Sequence, residues 1–115
     1  MKHEMKLHDS PFKCIQNKTK TIELRLLDEK RSLINENDLI EFTNRTTKEK
    51  ITVRVIRLHK YPNFEELYKH HDKVSMGYKE DDDAKAEAEA EDMEEYYSKE
   101  EQANFGVVGI EIELI

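Results

Sequence analysis

Three charged side chains on one predicted strand are the residues best suited to chemistry: Lys20, Glu23 and Arg25, within Lys18-Thr19-Lys20-Thr21-Ile22-Glu23-Leu24-Arg25. A partly buried lysine beside an arginine loses basicity, because burial and like charge both disfavour the ammonium. It can then act as a base or nucleophile. Glu23 could shuttle a proton, and Arg25 could hold a phosphate or a carbonyl oxygen. Glu23 and Arg25 share a strand face, roughly 6.5–7 Å apart. Lys20 has the opposite parity and joins them only if the strand begins with a twist or bulge. Two readings stay open here: an exposed face with a weak surface ion pair, or a polar cavity.

Other candidates are more diffuse. Arg54, Arg57, Lys60 and Tyr61 form a basic stretch ending in an aromatic ring. It could stack a base and hold phosphate, or simply be a solvated strand end. Tyr96 and Tyr97 could line a cleft, with helix packing as the plainer role for Tyr97. His70 and His71 are adjacent on a predicted helix, about 100° apart, which makes them poor joint ligands. Cys14 is the single cysteine and reads as a small core residue. It excludes an intrachain disulfide and a cysteine metal site. No glycine-rich phosphate loop or nucleophile elbow is present. Neither metal nor cofactor is expected.

The elements that position these residues follow from local pattern. Met5–His8 reads as a first strand. Ser10 and Pro11 read as a helix start, with the short helix ending at Asn17. Lys20–Leu26, Leu39–Thr43 and Ile51–Leu58 read as strands, the last two paired, with a turn over Asn35–Asp38. Asn63, with Glu66 three residues on, opens a helix; Ser98 with Glu101 opens another. Ala84–Tyr97 has high helix propensity but only a thin apolar stripe. Gly106 ends the last helix, and Val107–Leu114 is a closing strand with Val108, Ile110, Ile112 and Leu114 inward. Short strands with helices outside predict an α+β barrel, closed so that no strand edge is free.

The 115 residues suit one domain, 1–115. The net charge of −7 is unevenly spread. Residues 79–101 carry twelve acids and three lysines, whereas residues 1–60 carry fourteen Lys and Arg against nine Asp and Glu. Such asymmetry permits a polyanion partner on one side, or an acidic segment that only aids solubility. No apolar run approaches the ~20 residues of a membrane span, and Met1 to Leu7, with lysines and no apolar run, is not expected to act as a signal peptide. A soluble cytoplasmic protein with no membrane partner is expected; the oligomeric state stays open.

The strand motif resembles the G-x-K-x-x-E-x-R signature of the ASCH family, with Lys20, Glu23 and Arg25 at its K, E and R and Lys18 where the family has glycine. Phe64-Glu65-Glu66-Leu67, Tyr96-Tyr97-Ser98-Lys99-Glu100 and Gly106-Val107-Val108-Gly109-Ile110-Glu111-Ile112 are similar to later parts of bacterial members. The resemblance implies a PUA-like β-barrel of about five to six strands with flanking helices. It also implies a cleft, lined by Lys20, Glu23 and Arg25, that binds RNA or a modified nucleoside. Arg57, Lys60, Tyr61 and Tyr97 are further candidates for ligand binding. Some members are N(4)-acetylcytidine amidohydrolases, which use a Lys and a Thr of this strand and a later Glu. Lys20 matches the Lys, and Glu23 stands at the Thr position. Catalysis here would therefore rest on Lys20, Glu23 and Thr21, with Glu80 or one of Asp81 to Asp83 as the later acid. A ribonuclease and a protein-interaction module using the acidic helical segment at about 79–101 are the remaining alternatives.

Overall fold

The structure, a computed structural model, describes residues 1–78 and 90–115. Five strands form one sheet: β1 (Lys2–Leu7), β2 (Ile22–Leu26), β3 (Leu39–Asn44), β4 (Lys50–Tyr61) and β5 (Val107–Leu114), in the order β1-β3-β4-β5-β2. β1 pairs parallel with β3, and the other neighbours are antiparallel. Three α-helices accompany them among the described residues: α1 (Asp9–Gln16), α2 (Phe64–His70) and α3 (Lys99–Phe105). The result is an α+β, PUA-like half-barrel.

The two faces of the sheet have separate cores. Inside the curl, Met5, Leu7, Ile40, Phe42, Val53, Val55, Val108, Ile110 and Ile112 pack with Phe12 and Ile15 of α1. On the outer face, Ile22, Leu24, Leu26 and Val107 pack with Phe64, Leu67 and Tyr68 of α2. The pairing jumps from Val55↔Ile112 to Arg57↔Glu111, so Ile56 is an extra residue. This bulge flips the alternation. Leu58 continues the inner face, and Arg57, His59 and Tyr61 share the outer face with Glu111, Gly109 and Val107.

The cap signals mark the helices well. Asn63 accepts the Glu66 amide at 2.9 Å, and Ser98 and Glu101 form a reciprocal capping box. Gly106, at φ 72°, caps α3 through its amide to Gln102 O; glycine adopts this left-handed backbone without a Cβ clash. Ser10 is corrected as a cap. The helix begins two residues earlier, at Asp9 after His8, which puts Pro11 in the first turn, where no amide is needed.

Closure is partial: the last strand, β5, pairs with the early strand β2, and among the described residues β1 and β2 are left as the two sheet edges. Of the helix expected over Ala84–Tyr97, residues 84–89 lie outside the described residues. The described part, Ala90–Glu95, is a 3-10 helix that leads Met93 and Tyr97 onto the outer core.

Candidate functional site

Lys20 reaches the same side as Glu23 because β2 does not start at Lys20. The strand begins at Ile22, and the amides of Thr21 and Ile22 both donate to Ser75 O, at 2.9 and 3.0 Å. This shared acceptor breaks the alternation before the strand, so the parity that separates the two side chains in sequence no longer holds. Glu23 and Arg25 lie opposite Ile110 and Val108, hence on the inner face.

The three side chains form one buried network. Lys20 Nζ donates to Met76 O at 2.7 Å and to Ile22 O at 2.8 Å, and lies 3.4 Å from Glu23 Oε1. Glu23 Oε1 also accepts the Leu24 amide, and Oε2 accepts Arg25 Nε at 3.0 Å and Nη2 at 2.8 Å. Lys20 and Glu23 are each 5% exposed, so this is no surface pair. Arg25 Nη2 also donates to Lys6 O at 3.0 Å, which bridges the two sheet edges that backbone pairing leaves apart.

Burial pushes the Lys20 ammonium below its ordinary pKa, with Glu23 opposing. Burial alone would raise Glu23, but Lys20 and Arg25 outweigh it and hold the carboxyl below its usual value. Burial also works against the Arg25 cation, yet Glu23 and Tyr97 keep it firmly charged. One carboxylate thus sits between two basic side chains in a poorly solvated place, where charges act more strongly than in water.

The network opens onto a cleft of about 780 Å³, within the range of roughly 300–1,000 Å³ typical of ligand pockets. One part of its lining is aromatic: Tyr68, Tyr78, Tyr96 and Tyr97, with His8. Tyr68 and Tyr78 share a hydroxyl contact of 2.7 Å, and Tyr78 donates to Asp92 at 2.7 Å. Burial pushes Tyr68 up to about 12. It also raises Tyr78, helped by hydrogen bonds with Tyr68 and Asp92. The charged lining is Lys6, Lys20, Arg25, Lys30, Arg31, Arg45 and Lys50 against Glu4, Glu23, Glu41 and Asp92. In a chain of net charge −7, the described cleft lining thus holds three more basic than acidic side chains.

Residues 5–115 match the ASCH domain. The chain belongs to the ASCH family. Two solved structures are similar along the whole chain. The crystal structure of hypothetical protein PH0355 shares 32% identity at a TM-score of 0.81 and is covered in full. The solution structure of protein PF0455 from Pyrococcus furiosus shares 29% identity at a TM-score of 0.72, with 98% of it covered. No curated protein matches the chain. Lys20, Glu23 and Arg25, which carry the resemblance to the ASCH signature, are the residues that form the buried network.

Other candidates separate by place. Tyr97 lines the cleft, next to Arg25, and also packs on Phe64 with ring centroids 5.9 Å apart. Thr21 is half-buried and is not part of the cleft lining. Arg57, Lys60 and Tyr61 are also outside it. Tyr61 stacks on His70 at 5.5 Å, meets His71 edge-on and shares a 3.0 Å contact between its hydroxyl and His71 Nε2. His59 contacts Glu111 at 2.9 Å. Burial, with His59 and His70 nearby, lowers the His71 pKa. Among the described residues, no group of three or more His, Cys, Asp or Glu has the geometry of a metal site. Glu80 and Asp81 to Asp83 lie outside the described residues.

Sequence reasoning missed Lys6, Lys30, Arg45, Tyr68 and Tyr78 as cleft residues. They come from β1, two loops, α2 and the turn after it, and no local spacing joins them. The pairing of Lys6 with Thr43, two residues before Arg45, appears only in the sheet register.

Proposed function

We propose that this chain binds RNA or a modified nucleoside in the cleft above Lys20, Glu23 and Arg25. The carrying observation is the composition of one cleft: tyrosine rings and an excess of cations line the same space, with a buried, over-neutralised carboxylate at its base. Bases stack on aromatic rings, and phosphates pair with Lys and Arg. Arg25 contributes a permanently charged donor. The single cysteine fits a reducing, cytoplasmic site of action.

The test is fluorescence anisotropy with a labelled single-stranded RNA of about ten nucleotides. Saturable binding that weakens with salt is expected. Tyr96 is 56% exposed, so Tyr96→Ala should fold normally. It should still weaken binding by at least fivefold, since a stacked base is worth about 1–3 kcal/mol. Equal affinity in wild type and variant would overturn the stacking role, and no saturable binding of RNA or nucleosides would overturn the reading.

One observation favours a second reading, hydrolysis of N(4)-acetylcytidine to cytidine and acetate. Lys20 is a lysine of lowered pKa, 3.4 Å from a carboxylate. Against it, the Lys20 ammonium donates to two carbonyls, which favours the charged form. Incubation with N(4)-acetylcytidine, with chromatography for cytidine, decides: release that Lys20→Arg abolishes supports hydrolysis, and no release leaves binding alone.

A further inference from the structure

The cations around the cleft fall into two sets. Lys20 and Arg25 are committed to Glu23, Arg31 to Asp28 and Lys50 to Glu41. Lys6, Lys30 and Arg45 also line the cleft, are exposed and make no ion pair with a described carboxylate. They come from different elements. Lys6 is on β1, and its own carbonyl accepts Arg25 Nη2 at 3.0 Å. Arg45 directly follows β3 and is tied to Leu7 O through its amide at 2.8 Å. Lys30 lies in the loop after β2. The fold therefore brings three exposed cations, none paired with a described carboxylate, to the lining of one cleft. Glu4 also lines the cleft but offsets only one of the three charges.

We propose that Lys6, Lys30 and Arg45 form a phosphate subsite at the mouth of the cleft, so that the ligand is a nucleotide or an RNA segment and not a bare nucleoside. This rests on the nucleic-acid reading of the cleft and narrows it. The base would lie toward the tyrosines and Arg25, and the phosphate toward the three free cations. Three such contacts on a single strand give a salt slope of roughly −2 in log affinity against log salt.

The experiment is titration calorimetry of the full chain with four nucleosides, their 3′- and 5′-monophosphates, a tetranucleotide RNA and inorganic phosphate, at low and high salt. The monophosphates are expected to bind at least tenfold tighter than their nucleosides at low salt, with the gap closing at high salt. A variant with Lys6→Gln, Lys30→Gln and Arg45→Gln changes only exposed side chains. It should bring the monophosphates down to the nucleoside level and leave nucleoside affinity unchanged. Binding of the tetranucleotide but not the monophosphates would place the phosphate contacts on an RNA backbone, and the triple variant should then abolish it. Inorganic phosphate binding as tightly as the nucleotides would overturn the nucleotide assignment. Nucleosides and nucleotides binding equally, or the triple variant weakening both alike, would overturn the subsite while leaving the cleft reading intact. No binding by any probe overturns both.

Discussion

Glu23 and Asp38 are the two buried carboxylates among the described residues, and they are neutralised in different ways. Asp38 accepts the Asn35 amide at 3.0 Å, contacts His3 Nε2 at 2.8 Å and meets the terminal ammonium at 3.3 Å. It closes the turn before β3, and neither it nor His3 lines the cleft. Glu23 sits between Lys20 and Arg25, and basic side chains outnumber carboxylates in the described lining of the adjoining cleft. A carboxylate satisfied by a backbone amide and an imidazole is sufficient to hold a turn. A carboxylate held between a lysine and an arginine has more basic partners than one negative charge requires, and this is an arrangement that suits a site for anions.

The largest expected difference between the two networks is in stability. Lys20→Met leaves Ile22 O and Met76 O without their donor and removes one of the two cations holding Glu23. Breaking a buried pair from one side costs about 3–5 kcal/mol. The side chain also anchors the turn at Gly77, whose added Cβ would stand 3.2 Å from Lys20 Cδ. Urea unfolding should show the full loss. A cost under about 1 kcal/mol would mean that the pair is not buried in solution. Replacing Glu23 with Gln as well should recover part of the loss, because the uncompensated charge goes with it.

Asp38→Asn should cost less, about 1–3 kcal/mol, and its effect should depend on pH. The His3 hydrogen bond, with the Asn35 amide, lowers the Asp38 carboxyl to about 2 from 3.8. A carboxyl depressed in the folded state contributes stability that is fully present above its unfolded value and is lost as pH falls through the folded one. The wild type should therefore lose stability between about pH 4 and 2, and Asp38→Asn should flatten that limb of a denaturation series. Glu23 is depressed too, so some slope should remain in the variant. A variant as steep as wild type would show that Asp38 does not set the acid limb.

Much of this was legible where the signal is local. Val53 and Val55, and Val108, Ile110 and Ile112, mark inner faces by alternation. Asn63, Ser98 with Glu101, and Gly106 mark helix ends by backbone chemistry. The cleft was legible only through Lys20, Glu23 and Arg25, and even there the parity of Lys20 pointed away from its partners. Its true position depends on Ser75 O, more than fifty residues on. The cationic mouth was not legible at all: Lys6, Lys30 and Arg45 share a surface only because β3 carries Arg45 alongside β1, and because the curl brings β2 back to β1. In the same way, Arg57 and Tyr61 looked available as a sequence stretch. The Ile56 bulge and the end of α2 place Tyr61 among histidines instead.

The smallest expected effect concerns the turns that lead into the two networks. Each has a residue in the left-handed region: Lys18 at φ 70°, two residues before Lys20, and Asn37 at φ 72°, next to Asp38. A residue with a Cβ loses about 1–2 kcal/mol there, but asparagine tolerates the conformation. Lysine has no such advantage, and the ASCH signature has glycine at this position. Glycine itself gives back roughly 0.5–1 kcal/mol through the greater freedom of its unfolded chain. Lys18→Gly should therefore stabilise the fold by about 0.5 kcal/mol, and Asn37→Gly should be near neutral. Nucleotide affinity should stay the same in Lys18→Gly, because the turn already has the conformation that glycine prefers and Lys20 need not move. Urea midpoints and calorimetry on the two variants check this. A gain for Asn37→Gly but not for Lys18→Gly would show that the lysine is held by contacts outweighing its backbone strain. A change in affinity for Lys18→Gly would make this turn, and not the shared Ser75 acceptor, what sets Lys20 in the cleft.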